Sequence, residues 1–320
     1  MSSEPDQQFD PSSRLVILEA RARGIDVELL TPNAEFYRLS YGARAHLCRE
    51  SLSPLTSAVA VACCDDKRIT TRLLARAGLS VARQAEATST DADAEFLQEL
   101  GALVVKPARG EQGRGVSVGV RDPETLAHAV ERAREVSEVV LLEEVVSGSD
   151  LRVIVIDDEV IAAAVRRPPE VVGTGRDSIE RLIAEQSRRR QAETRGHSKI
   201  PCDDETRRSV REAGYELSEI LPEGERLTVR RTANLHTGGT IHDVTAALHP
   251  HLADVSRRAA RALDIPVVGL DLMVPDPTGE AYSIIEANER PGLANHDPQP
   301  TASRFVDFLF PETSRRPPVR

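Results

Sequence analysis

Two apolar runs, GLDLMV at residues 269–274 and SIIEAN at 283–288, carry two acids and an amide where a buried strand would be expected to carry hydrocarbon. Only PDPTGEA and a tyrosine separate them, so they read as neighbouring antiparallel strands. Side chains alternate faces along a strand, so Glu286 and Asn288 point to one side and Asp271 converges on them from the adjacent run. A carboxylate taken out of water is costly unless it is paired or binds a cation. The chain must therefore build a sheet with one charged face. Arginine-paired acids are one reading of that face. Hard oxygen ligands for a divalent ion are the other.

The second reading gains weight upstream. VVKPARGEQGRGVSV, residues 104–118, delivers Lys106 from a strand into a loop with Gly110, Gly113 and Gly115, then enters another strand. Glycine permits positive φ and close backbone approach, so successive N–H groups can turn onto phosphate oxygens while the lysine adds a point charge. The spacing is not that of a P-loop, and no helix follows as in a Rossmann turn. Alone the loop is as compatible with a plain β-turn. With Asp271, Glu286 and Asn288 downstream, a site for Mg²⁺ and a phosphorylated ligand is the better reading.

A third set is basic. Arg166, Arg167, Arg230, Arg231 and Arg290 lie near strand ends, Asn234 follows in TANLHTGGT, and together they suggest an anion-lined cleft. Arg188, Arg189 and Arg190 read instead as a solvated helix face. His249 and His251 lack zinc-ligand spacing and flank an expected helix start, and no G-x-S-x-G elbow supports a hydrolase.

Length and charge set outer bounds. A chain of 320 residues with 40% hydrophobic and 29% charged residues can bury more than one core, and its formal charge of −10 opposes nonspecific binding to nucleic acid. MSSEPDQQFDPSS has no secretory pattern, and no run approaches a membrane span, so a soluble cytoplasmic protein is expected. Cys48, Cys63, Cys64 and Cys202 read as reduced thiols.

Along the chain, order is expected from Arg14, with a helix ending at Gly24 and a strand in IDVELLT. A helix over Asp65–Gly78 follows, then strand, helix, strand, glycine loop, strand, helix and the strand VVLLEEV. Residues 150–167 read as a hairpin turning at Asp157–Asp158; helices are expected near 177–193, 204–220 and 250–264, and strands near 226–231, 267–274 and 281–287.

Taken in order, the helix with DDK, the strand with VVKP, the glycine flap, LLEEVVSGSDLR, GLDL and IIEANERPG resemble the ATP-grasp ligases from Asp65 to Pro311. RRPPEVVGTGRDSIERLI, HSKI, RRTANLHTGGTIHDVT and ANERPGLANHDPQPTASRFVDFLFP resemble the branch that holds cyanophycin synthetase and the N-acetylglutaminylglutamine synthetases. NHDPQPTA, RFVDFLFP and CRESLSPLTSAVAVACCDDK are more similar to the latter.

The resemblance implies an α/β ATP-grasp fold of two α+β lobes gripping ATP, behind a short, truncated pre-ATP-grasp αβ unit. The implied boundaries are a disordered leader at 1–13, the partial unit at 14–64, a small lobe at 65–142, a large lobe at 143–311 and a mobile tail at 312–320. It implies Lys67 and Lys106 on ATP phosphates under a flap from Gly110 to Gly115, Glu143, Glu144 and Val145 at the adenine, and Asp150 at the ribose. Asp271, Glu286 and Asn288 would bind Mg²⁺, for which Mn²⁺ can substitute, with Arg230, Arg290 and Asn234 near the transferring group.

The implied activity joins a small-molecule carboxylate to an amine through an acyl phosphate, giving the osmoprotectant dipeptide N-acetylglutaminylglutamine. A cyanophycin-like or glutathione-like ligase, or an inactive nucleotide-binding module, are the alternatives. No nucleic-acid or membrane partner is expected; homo-oligomerisation and partnership with an acetyltransferase and an amidotransferase stay open. Family members carry an acetyltransferase-like domain in front, so acetylation is expected to be absent from this chain.

Overall fold

The computed structural model describes residues 9–88, 91–110, 113–194, 196 and 198–314. Residues 1–8 of the expected leader, Glu111 and Gln112 of the expected flap, His197 of the HSKI motif and 315–320 of the expected tail lie outside the described residues.

Order begins earlier than Arg14. Helix α1 (Pro11–Ala22) starts on proline, with the Asp10 carboxylate accepting from Ser13 N, and buries Val16, Ile17 and Ala20 at helical spacing. Strands β1 (Asp26–Leu29), β2 (Phe36–Tyr41) and β3 (Arg44–Arg49) form an antiparallel sheet in the order β1-β2-β3. The expected αβ unit thus gains a hairpin whose turn holds Gly42 at φ +57°.

The helix expected over Asp65–Gly78 is α3 (Lys67–Arg76), and a further helix, α2 (Ala58–Asp65), precedes it. Asp66 separates them because its extended backbone leaves the first helix and its carboxylate caps the second through Arg68 N. The small lobe's sheet comprises β4 (Gln84–Glu86), β5 (Leu103–Pro107), β6 (Ser117–Val120) and β7 (Val140–Glu144), ordered β4-β7-β5-β6. Helices α4 (Asp91–Leu100) and α5 (Pro123–Arg134) share its core, with Leu97, Leu126 and Ala129 packed on Leu103 and Val105.

The large lobe has the sheet order β12-β9-β8-β13-β14, every neighbour antiparallel. Its strands are β8 (Ser149–Ile156), β9 (Glu159–Arg167), β12 (Thr240–Asp243), β13 (Val267–Val274) and β14 (Ser283–Asn288). Between β9 and β12 lies an insertion with its own core: β10 (Glu170–Val172), α6 (Ile179–Glu193), α7 (Asp204–Glu212) and β11 (Arg226–Thr228). Helix α7 stops well short of the expected residue 220, since Gly214 takes φ +87° and turns the chain. Helices α8 (Pro250–Ala262) and α9 (Thr301–Leu309) complete the fold. His249 caps α8, its Nδ1 accepting from His251 N at 3.2 Å.

Strand parity divides the large sheet cleanly. Leu151, Val153, Val155, Val268, Leu270 and Leu272 face one core with α8, and Leu74 and Leu79 join them from α3 and the turn after it. Helix α3, expected in the small lobe, therefore packs with the large one. Ile154, Ile156 and Val267 face the other core, formed with α1, Tyr37, Phe305 and Phe310. Each fully buried phenylalanine there is worth about 2–3 kcal/mol of hydrophobic transfer. Among the described residues no helix is long and apolar enough to cross a membrane.

Candidate active site

The second sheet face is apolar at one end and charged at the other. From β8, Ile154 and Ile156 pack on the core while Asp150 and Arg152, four and two positions before Ile154, continue the same face. Asp271 pairs in register with Arg152 and with Glu286, Arg166 with Asp150, and Asn288 with Gly269. Register alone gathers Asp150, Arg152, Arg166, Asp271, Glu286 and Asn288 onto one half-face. The three oxygen-bearing side chains anticipated from the two runs are brought together.

Asp271, 7% exposed, sits between two guanidinium groups. Arg152 Nε lies 2.5 Å from its Oδ1, and Arg166 Nη2 lies 3.0 Å from the same atom and 2.8 Å from Asp150 Oδ1. A Cβ at Gly269 would come within 2.6 Å of Arg152 Nη1, so glycine leaves the room this guanidinium needs to cross the strand. Asp150 was expected at a ribose; here it is claimed by Arg166, and burial, then its neighbour Asp271, raise its carboxyl pKa against that arginine's pull. Burial also opposes the charge on Arg166, but Asp271 and Asp150 outweigh it and raise that pKa.

Lys67 links this face to the flap. Its Nζ lies 3.0 Å from Glu286 Oε1 and donates to Gly110 O at 3.0 Å. Gly110, Gly113 and Gly115 all have positive φ, which suits a phosphate loop and a plain turn alike. On the small lobe Lys106 and Glu143, 5% and 4% exposed, form an ion pair at 2.6 Å, and Gln84 Nε2 donates to the second carboxylate oxygen at 2.6 Å. The carboxylate of Glu143, a residue expected at the adenine edge, is engaged by Lys106. Glu144 N donates to Arg83 O on the strand edge, and Val145 follows directly, half-buried.

Of the three expected catalytic positions, Arg230 and Asn234 lie in the insertion and Arg290 lies just after β14. Arg230 is buried in the insertion, where it donates to Asp203 Oδ1 at 2.6 Å and Thr206 Oγ1 at 2.8 Å and pairs with Glu205, so it anchors the start of α7. Asn234 caps a short 3₁₀ turn through His236 N. Arg231, rather than its neighbour, reaches out of the insertion, bonding Val118 O on the flap hairpin at 3.2 Å and Glu212 at 2.7 Å. Arg290 follows β14 and lies 3.3 Å from Glu50 Oε1.

Sequence reading missed Arg152, although the spacing D-x-R ahead of I-x-I signals its face. It also missed His296, 4% exposed, whose Nδ1 has no hydrogen-bond partner among the described residues. Burial, then the nearby Arg152 and Arg166 charges, hold its pKa at about 4. A histidine depressed below its unfolded value contributes stability above that value and loses it as pH falls toward the folded one. Wild type should lose about 2 kcal/mol between pH 6.5 and 5 through this group. Urea unfolding at both pH values checks it, with His296→Asn expected to flatten the dependence.

Among the described residues, no three histidine, cysteine, aspartate or glutamate side chains cluster for a metal. With Asn288 counted, however, two carboxylates and an amide share one face, and Asp271 Oδ1 is buried without an aligned hydrogen bond. That buried oxygen, held only by ion pairs, beside two further oxygen donors fits a hard divalent cation. The fit requires Glu286 and Asp271 to loosen from Lys67 and the guanidinium groups.

Residues 64–173 match the RimK-like ATP-grasp domain. The chain is 33% identical to cyanophycin synthetase of Trichormus variabilis over 331 residues, covering 98% of this chain and 36% of that protein. It is 28% identical to the glutathione biosynthesis bifunctional protein GshAB of Mannheimia succiniciproducens, covering 94% and 42%. The chain thus spans well under half the length of these curated relatives. The bifunctional glutathione synthetase structure from Pasteurella multocida superposes with a TM-score of 0.69 at 25% identity, over 97% of this chain and 45% of that one. D-alanine–D-alanine ligase from Bacillus anthracis, at 17% identity and a TM-score of 0.51 over 81% and 70%, shares the fold.

Proposed function

We propose that this chain, which has the ATP-grasp fold and belongs to that superfamily, is an ATP-dependent ligase joining a carboxylate to an amine. The observation that carries the reading is the charged half-face: Asp271, Glu286 and Asn288 in register, tied through Lys67 to a glycine loop of positive-φ residues. Mg²⁺ or Mn²⁺ held by those three side chains would neutralise triphosphate oxygens. Lys67 and Lys106 bind the phosphates, Gly110, Gly113 and Gly115 offer backbone donors to them, and Arg290 orients the transferring group.

A substrate carboxylate oxygen attacks the γ-phosphorus and ADP leaves. The amine then attacks the acyl carbon, phosphate leaves and the ammonium proton goes to solvent. Positioning and charge supply the acceleration, so no nucleophilic side chain is needed. In the structure Asp150, Asp271 and Glu286 balance Arg152, Arg166 and Lys67. A ligand that brought anion or cation alone would leave one of these groups unpaired, which favours a nucleotide arriving with its metal.

For substrates we favour N-acetylglutamine with glutamine, on the NHDPQPTA and RFVDFLFP runs. A cyanophycin-like or glutathione-like pair is the second reading, favoured by the names of the relatives. Burial pushes the Cys48 and Cys64 thiols up to about 12, keeping them protonated in the reducing cytoplasm where we place the reaction. ADP release from MgATP with N-acetylglutamine plus glutamine, beside the acid and amine pairs of the other two reactions, tests this. Release with the first pair alone is expected. Turnover on another pair would overturn the substrate, and silence on all would overturn the ligase reading.

A further inference from the structure

The N-terminal unit meets the turn after β14 through Glu50. Glu50 follows β3 at φ +51°, a conformation disfavoured for a side chain with a Cβ. Its backbone is fixed from both sides: Glu50 N donates to Glu35 O at 2.9 Å, and the hydroxyl of fully buried Tyr37 donates to Glu50 O at 2.5 Å. The left-handed backbone delivers its carboxylate to Arg290, with Oε1 3.3 Å from Nη1. Burial raises the Glu50 carboxyl pKa, and Arg290 offsets part of that rise.

The same turn is gripped twice more. Ser51, fully buried, donates from Oγ to Pro291 O at 2.7 Å, and Ala294 N donates to Ser12 Oγ at 3.4 Å. Behind these contacts α1 locks onto α9, with Arg23 Nη1 2.6 Å from Asp307 Oδ1 and Nη2 donating to Ser303 O at 2.9 Å. A turn that only had to close the chain after β14 would not require contacts from Ser12, Glu50 and Ser51.

We propose that Glu50 is a positioning residue: it aims the Arg290 guanidinium at the transferring group, making residues 9–56 a wall of the catalytic site. The proposal rests on the reading of Arg290 given above. It differs from a bracing role because the carboxylate, rather than the backbone, does the aiming.

Glu50→Gly separates the two, since glycine accepts the positive φ and keeps both backbone bonds while removing the carboxylate. With the acid and amine pair that gives the highest wild-type rate, kcat should fall roughly 10- to 100-fold, the cost of a misaimed group. KM for MgATP, MgADP affinity by calorimetry and melting temperature should hold at wild-type values. Glu50→Asp, which restores a carboxylate on a residue tolerant of this conformation, should recover part of kcat. Wild-type kcat in Glu50→Gly, beside a loss in Arg290→Ala, overturns the positioning role and leaves the site reading standing. Wild-type kcat in both overturns the reading of Arg290 and the proposal with it. A joint fall of kcat, MgADP affinity and melting temperature in Glu50→Gly means a structural role only, which also overturns it.

Discussion

Replacing Asp271 with asparagine will stop turnover and lower stability together, and the two losses have different sources. The carboxylate is the shared counter-charge of Arg152 and Arg166 at 2.5 and 3.0 Å, and it is 93% buried. Asparagine keeps the shape and loses the charge, leaving two guanidinium groups with only Asp150 between them. Breaking a buried pair in this way costs about 3 kcal/mol. If Asp271 is the cation ligand proposed above, turnover should fall roughly a thousandfold or more, since such a ligand supplies several kcal/mol of charge stabilisation where phosphate is transferred. Arg152→Met in the Asp271→Asn background removes one orphaned charge and should restore part of the melting temperature without restoring turnover. Steady-state ADP release and thermal unfolding, measured on the same preparations, separate these effects. Turnover near wild type in Asp271→Asn would show that this face serves the fold alone.

The charged face was legible in sequence because parity is local. Two residues apart on a strand means one side, whatever lies elsewhere, and so Glu286, Asn288 and Asp271 were found together. The positive-φ glycines of the flap were legible for the same reason. Partners were not. An arginine spans two strands or reaches another segment, so its partner depends on register and on contacts hundreds of residues apart, such as Arg290 with Glu50 at a separation of 240. Arg230 and Arg231 are adjacent in sequence and point to different work, one buried under α7 and one on the flap hairpin. Composition near a strand end cannot separate them.

Non-local burial hid two structural elements as well. The alternation of Tyr37 and Leu39 in β2 becomes meaningful only when α1 and α9 cover it. Residues 301–309 form a helix whose Phe305 and Leu309 need that same sheet face. The insertion shows the reverse: its helix α6 was visible from caps and period, yet its separate core was not, since Val171, Ile183, Ile200 and Val229 come from segments with no shared pattern.

The second large effect concerns Lys106, and it turns on what is left behind. Lys106→Met removes the charge proposed to hold a phosphate and strands Glu143, 4% exposed, with Gln84 donating to it. An ammonium has three donors, and the one spent on Glu143 orients the other two, so the lysine can serve carboxylate and phosphate at once. Losing it should weaken MgADP binding roughly 10- to 100-fold, the worth of a charged hydrogen bond. The stranded carboxylate should also cost about 3 kcal/mol of stability. Adding Glu143→Gln removes that carboxylate while an amide oxygen still accepts from Gln84. Stability should then return most of the way to wild type, and MgADP affinity should not. Calorimetric titration and urea unfolding of Lys106→Met and the double variant measure the separation. If affinity returned with stability, Lys106 would be a buried partner for Glu143 and no ligand for the nucleotide.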